Sequence, residues 1–392
     1  MFVRRVSRWH PRAPERQHRP GATTDAAGSV TTTVYNSAGQ IQAITNAKNE
    51  TTTYTYSTPD GNLTSVTGPV SGATTTYTYD SYGRPRTVTD ADGYTVTTDY
   101  DALNRVIART YPDGTHETFT YERLDLIEET DRLGRVTRHF YDRAGRRTAT
   151  RDPLGRVVRQ EWCGCGSLQA LVDANDHRTR WTRDALGRVV TETRADGTTQ
   201  TTYTYDLTGR LSTVTNPKGQ VTTHTYLAGD SLSGTTYTNA TIATPSVSYT
   251  YDPVYARVVT MVDGIGTTVY TYKAPGQLGA GQVATVDGAL TNDVIAYTYD
   301  ALGRVVNRTI NGAANSVTWA FDALGRVTSE QNVLGTFTYT YDGVTSRLAT
   351  VSYPNGQTEH LQLPAELPRP SAADDPSQAP ESGDPLEVRL HV

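Results

Sequence analysis

Tyr299-Asp300-Ala301-Leu302-Gly303-Arg304 returns almost unchanged as Phe321-Asp322-Ala323-Leu324-Gly325-Arg326. Each part of the motif has a physical reading. The Asp carboxylate can accept the backbone N–H two residues on and so opens a tight turn. The Gly three residues after it suits a type I turn that ends on one residue at positive φ, a common hairpin connection. The Arg then opens the returning strand, close enough to pair with an Asp or to lie over a Tyr ring.

The same pattern recurs along the chain. Tyr79-Asp80 with Gly83-Arg84, Tyr141-Asp142 with Gly145-Arg146, and Tyr205-Asp206 with Gly209-Arg210 carry it in full. Tyr100-Asp101, Tyr251-Asp252 and Tyr341-Asp342 keep its first half. Tyr35, Tyr56, Tyr121, Trp162, Tyr226 and Tyr272 hold the aromatic place alone, while Arg183-Asp184 keeps the Asp without the aromatic. From Tyr35 onward most anchors fall within two residues of a 21-residue spacing, and a fixed period of that size marks a repeat architecture. The two long intervals, Tyr226 to Tyr251 and Tyr272 to Tyr299, read as loop insertions.

A second turn lies half a period later, at Asp92-Gly93, Asp113-Gly114, Leu133-Gly134, Leu154-Gly155, Asp196-Gly197 and Lys218-Gly219. Each unit is therefore two short strands and two turns, one hairpin added per period. Aromatics two residues apart, such as Tyr77 and Tyr79 or Tyr297 and Tyr299, share a strand face. Stacked hairpins would line these doublets into ladders of cross-strand aromatic pairs. The expected fold class is all-β, an array of hairpins with a ~21-residue period forming a spiralling antiparallel sheet.

Composition agrees. Hydrophobic residues are only 36% of the chain, with 5 Phe and 2 Met against 25 Tyr, and Thr is abundant. That would fill a compact aliphatic core poorly but suits a pleated surface with one face toward water. The formal charge of −5, with both signs interspersed, offers no broad basic field and argues against nucleic acid as a partner. No apolar run approaches the ~20 residues of a membrane helix. The N-terminal MFVRRVSRWHPRAPERQHRP is basic and lacks the apolar stretch of a secretory signal.

These repeats resemble the YD repeats of Rhs-type polymorphic toxins, of the related insecticidal-toxin component and of animal teneurins, over roughly Thr23 to Thr358. The resemblance implies that the hairpins form part of a hollow shell. It implies secretion or cell-surface display, with the remainder of the shell and an enclosed C-terminal toxin as partners. Two family features are missing: the segment tied to self-cleavage before the toxin, and the toxin itself. Asp152-Pro153-Leu154-Gly155-Arg156 looks like the cleavage segment but reads as an ordinary half-period turn. The chain is thus read as a shell fragment. Residues 1–22 form a basic segment and 359–392 a Pro-rich tail, both expected to be disordered; the tail also fits a slip of reading frame near Thr358.

Candidate chemistry is sparse. Cys163-Gly164-Cys165-Gly166 occupies a turn position after Trp162 and reads as a variant turn, with a disulfide or a metal site as alternatives. Zinc wants four ligands, and His177 is the sole nearby histidine in sequence. His224 takes the first doublet position before Tyr226 and reads as a strand-face residue. No nucleophile elbow, P-loop or dinucleotide fingerprint is present. No catalytic, cofactor or metal residue is nominated, and the chain is read as a non-enzyme. The second reading is a carbohydrate-binding surface repeat, with exposed Tyr stacking on sugar rings.

Overall fold

The computed structural model describes residues 21–361. Thirty-two strands, from Ala22–Thr24 to Thr358–His360, form one antiparallel sheet, and a single 3₁₀ turn, Ala313–Asn315, interrupts them. Each strand pairs with the next one in sequence, so the sheet is a continuous meander. Among the described residues no helix is long and apolar enough to cross a membrane. The disorder and reading-frame expectations for 1–22 and 359–392 concern segments that lie, apart from Gly21, Ala22 and 359–361, outside the described residues.

The hairpin of Thr74–Tyr79 and Pro85–Thr89 shows how the unit forms. Asp80 N donates to the Arg84 carbonyl (2.9 Å) and Gly83 N to the Asp80 carbonyl (3.0 Å), closing a type I turn with Gly83 at φ 76°. A β-bulge follows: Thr78 faces Thr87 while Tyr79 faces Pro85, leaving Arg86 as the extra residue. The same register shift sits beside the anchor aromatic at Tyr141, Tyr205, Tyr299 and Phe321. The half-period turns use the same bonds, Gly93 N to the Asp90 carbonyl and Gly155 N to the Asp152 carbonyl among them.

The two faces differ. Along Thr74–Tyr79 the Tyr side is half-buried and the alternate Thr side exposed. Cross-strand Thr hydroxyls bond on the exposed side, as at Thr78–Thr87 (2.5 Å), Thr204–Thr213 (2.6 Å) and Thr340–Thr350 (2.6 Å). On the other side Tyr77 sits opposite Val88 and Tyr203 opposite Val214, pairs of aromatic and β-branched groups that favour a sheet. Among the described residues no large side chain is fully buried. The sheet is one layer thick, so its cohesion lies in contacts between neighbouring strands and not in a central core.

Because hairpins run across the ribbon, all motif turns lie on one rim and all half-period turns on the other. The ribbon curls until these rims meet. Gly276 N donates to the Ala26 carbonyl (2.8 Å), Lys48 Nζ lies 3.8 Å from Asp300 Oδ2, and Arg347 bonds Asp92 Oδ2 at 3.1 Å. Lys48 and Asp300 are 252 residues apart, with twenty-three strands between them. The second course of the spiral thus lays its motif rim along the half-period rim of the first.

Candidate functional site: the interlocked motif turns

Each complete Asp-x-x-Gly-Arg turn is an ion-paired clasp. Asp80 Oδ1 accepts the backbone N–H of Tyr82 (2.9 Å) and of Arg84 (3.0 Å), while Oδ2 accepts Arg84 Nε (2.6 Å). The set repeats at Asp142–Arg146, Asp206–Arg210, Asp300–Arg304 and Asp322–Arg326, with Nε···Oδ2 distances of 2.7–2.8 Å. At Asp142 the Arg146 side chain and then its backbone N–H hold the carboxyl below its ordinary value of 3.8. At Asp206 desolvation opposes ionisation, yet the donors of Arg210 and Thr208 outweigh it and the carboxyl falls well below the usual range.

The same arginines reach forward into the next repeat. The Arg84 guanidinium lies 4.8 Å from the Tyr100 ring centroid, and its Nη1 donates to the Asp101 carbonyl (2.7 Å). Arg188 covers Tyr205 (4.4 Å), Arg210 covers Tyr226 (4.7 Å), Arg304 covers Phe321 (4.5 Å) and Arg326 covers Tyr341 (4.4 Å). The tyrosine anchors also reach back. Tyr79 Oη donates to the Leu63 carbonyl (2.8 Å), Tyr141 to Leu126 (2.9 Å), Tyr205 to Val189 (2.8 Å), Tyr299 to Val283 (2.7 Å) and Tyr341 to Val327 (2.7 Å). Neighbouring hairpins are therefore locked twice, by a guanidinium going forward and a hydroxyl going back.

This arrangement corrects the expected aromatic ladder. Successive anchors are two strands apart, about 9.5 Å at ordinary strand spacing, too far for ring to meet ring. The guanidinium fills that gap. Among the described residues a direct ring contact occurs at Phe337 and Tyr353, 5.9 Å apart and edge-on.

The Rhs-repeat model matches residues 58–95, 79–116, 121–157 and 166–199. Over those residues the chain carries Rhs repeats. It is 30% identical over 180 residues to double-stranded DNA deaminase toxin A of Burkholderia cenocepacia, a match covering 45% of this chain and 11% of that protein. The fold resembles the Photorhabdus luminescens Tc holotoxin pore, in a structure carrying a TccC3 point variant, at TM-score 0.66 and 16% identity over 86% of this chain and 22% of that one. It also resembles TcdB2–TccC3 without its hypervariable C-terminal region, at TM-score 0.57 and 16% identity, again over 86% and 22%. The chain spans about a fifth of these solved relatives and a tenth of the curated one.

Departures from the motif show what each position in the array does. Trp162 replaces the anchor Tyr and its Nε1 donates to the Arg147 carbonyl (2.8 Å). Arg183 replaces the aromatic altogether, and its Nη2 donates to the Leu168 carbonyl (3.3 Å). A donor at that place is thus kept when the ring is lost. Asn104 stands where Gly belongs, at φ 63°, a region Asn tolerates better than other residues with a side chain. The forward reach of Arg was not anticipated from the motif alone. Its signal was present in the 15 to 17 residues that separate each Arg from the aromatic it covers.

The other sequence candidates fall as follows. Cys163 and Cys165 are bonded to each other, within a turn closed by Gly166 N to the Cys163 carbonyl (3.0 Å). The variant turn is therefore also a disulfide. His224 lies in a strand and meets Thr235 Oγ1 at 3.2 Å. His177 pairs with Asp173 at 3.2 Å. Among the described residues no group of three or more His, Cys, Asp or Glu is placed to hold a metal ion.

Proposed function

We propose that this chain is a wall segment of an Rhs-type shell, which encloses or displays a toxin or adhesive module and has no catalysis of its own. The observation that carries this is the meeting of the two rims after twenty-three strands. A ribbon that stacks on its own preceding course builds a continuous curved wall. The proposed partners are the remaining courses of the shell and a C-terminal cargo, and the proposed setting is secretion or the cell surface.

The turn leucines support this reading. Leu302, in the stacked course, is 37% exposed, whereas the equivalent Leu103 and Leu186 are 61% and 77% exposed. Another course on the free rim would cover them as the first course covers Leu302. Cryo-electron microscopy of the parent protein tests the proposal. The expected result is a hollow wall in which residues 22–360 form adjacent courses around extra density. A collapsed particle without a lumen, or a cargo that proteases digest as fast as its isolated form, overturns it.

A further inference from the structure

The turn at Cys163 is built on an anion socket. In its sister turns the residue at this position is Asp, and two backbone N–H groups converge on its Oδ1. Asp142 Oδ1 accepts Ala144 N (2.8 Å) and Arg146 N (3.1 Å), as Asp80 does with Tyr82 and Arg84. At Cys163 the same two donors meet sulfur: Cys165 N lies 3.2 Å and Ser167 N 3.3 Å from Sγ. Position five is Ser167 here, so no Arg of the same turn neutralises the group. Arg146 of the preceding turn donates to the Cys163 carbonyl at 3.2 Å. Cys163 is half-buried and Cys165 exposed.

We propose that Cys163–Cys165 is a thiol–disulfide exchange site for low-molecular-weight thiols, with Cys165 as the attacked sulfur and Cys163 as the leaving thiolate. A donor thiolate attacks Cys165 Sγ from solvent, and a bond forms between the two sulfurs. The Cys163–Cys165 bond breaks and its electron pair stays on Cys163, in the socket that holds a carboxylate in the other turns. A second donor thiolate attacks the donor sulfur of the mixed disulfide and releases Cys165, which takes up a proton. Two donor thiols are oxidised to one disulfide, the protein disulfide is reduced by two electrons, and one proton goes to solvent. N–H donors that stabilise a thiolate make it the better leaving group. The other charged groups on the flanking turns are Asp142, paired with Arg146, then Arg143, and Arg183, Asp184 and Arg188, of which the last two pair with each other. This site stands apart from the shell reading and does not depend on it.

The test uses the full chain with reduced glutathione as the donor. Trapping at limiting glutathione followed by peptide mass spectrometry is expected to place the mixed disulfide on Cys165. In single-cysteine variants, thiolate absorbance is expected to rise at a pH about one unit lower for Cys163 (in Cys165→Ser) than for Cys165 (in Cys163→Asp), a tenfold difference in ionisation constant. Cys163→Asp restores the residue of the sister turns, so its thermal midpoint close to that of the parent shows that the fold is kept. Glutathione on Cys163, equal ionisation of the two thiols, or no mixed disulfide at all overturns the proposal; the glutathione reaction reads the unsubstituted protein and so does not depend on any variant folding.

Discussion

Arg84 holds Asp80 behind it through Nε at 2.6 Å and covers the ring of Tyr100, sixteen residues ahead, at 4.8 Å. One planar guanidinium therefore closes its own turn and fastens it to the next. Arg84→Ala removes both, and Arg84→Lys keeps the charge but not the fork. Both variants are expected to speed hydrogen exchange of the Asp101–Arg105 turn amides about tenfold. Unchanged protection at that turn, by exchange mass spectrometry, would show that the forward contact carries no coupling.

Two glycines separate backbone strain from steric conflict. At Gly83, φ is 76° and a Cβ would meet nothing within 4 Å, so Gly83→Ala carries the conformational cost alone, roughly 1–2 kcal/mol. At Gly279, φ is also 76°, but a Cβ would fall 2.3 Å from Tyr299 Cδ2. Gly279→Ala should add an overpacking cost of about 1–3 kcal/mol to the same strain. Urea unfolding of the two variants side by side measures the difference, and equal midpoints would contradict it.

Tyr299 is 6% exposed and its hydroxyl donates to the Val283 carbonyl at 2.7 Å. Tyr299→Phe leaves the ring in place and strips the donor, at a cost of about 1 kcal/mol. Phe321 occupies the anchor in the next repeat, so the ring alone satisfies the packing there. The converse change, Phe321→Tyr, supplies a hydroxyl and should be neutral or stabilising in the same unfolding assay.

The meeting of the rims depends on exposed charges. Arg347 bonds both Asp92, from the course before, and Asp342 of its own turn. Arg347→Glu sets like charges against each other and is expected to loosen the stack while leaving the hairpins intact. Exchange should rise at Asp90–Tyr94 and stay constant at Asp142–Arg146. High salt should act on the unmodified protein in the same direction, because it screens such exposed pairs.

The motif carboxylates set an acid limit. At Asp101 the Arg105 backbone N–H, and at Asp142 the Arg146 side chain, favour the ionised form over its ordinary value of 3.8. A depressed folded value means that this stability is complete above about pH 4 and drains away as pH falls through the folded values. Burial raises Tyr299 and Tyr272 above the ordinary 10.0. Their contribution is complete below about pH 10 and is lost as pH climbs past it. Thermal midpoints from pH 2 to 11 should trace a plateau with a fall at each end; a maximum confined to one neutral pH would argue against both groups.

The period, the turn type and the strand alternation could be read from residues such as Asp300, Gly303 and Arg304, because each is settled by bonds closed within one 21-residue unit. Asp sets the N–H acceptors, Gly takes the positive φ, and Tyr and Thr divide the two faces. The partners of those residues across units were decided by tertiary structure. Arg304 covers Phe321 and not its own anchor because two strand spacings leave a gap that only a long planar side chain spans. The bond between Cys163 and Cys165 required their sulfurs to converge within one turn, and the spacing was equally compatible with free thiols. The approach of Lys48 to Asp300 follows from curvature accumulated over twenty-three strands. No local pattern records that sum, since a small change per hairpin would move the meeting point to other residues while leaving every motif unchanged.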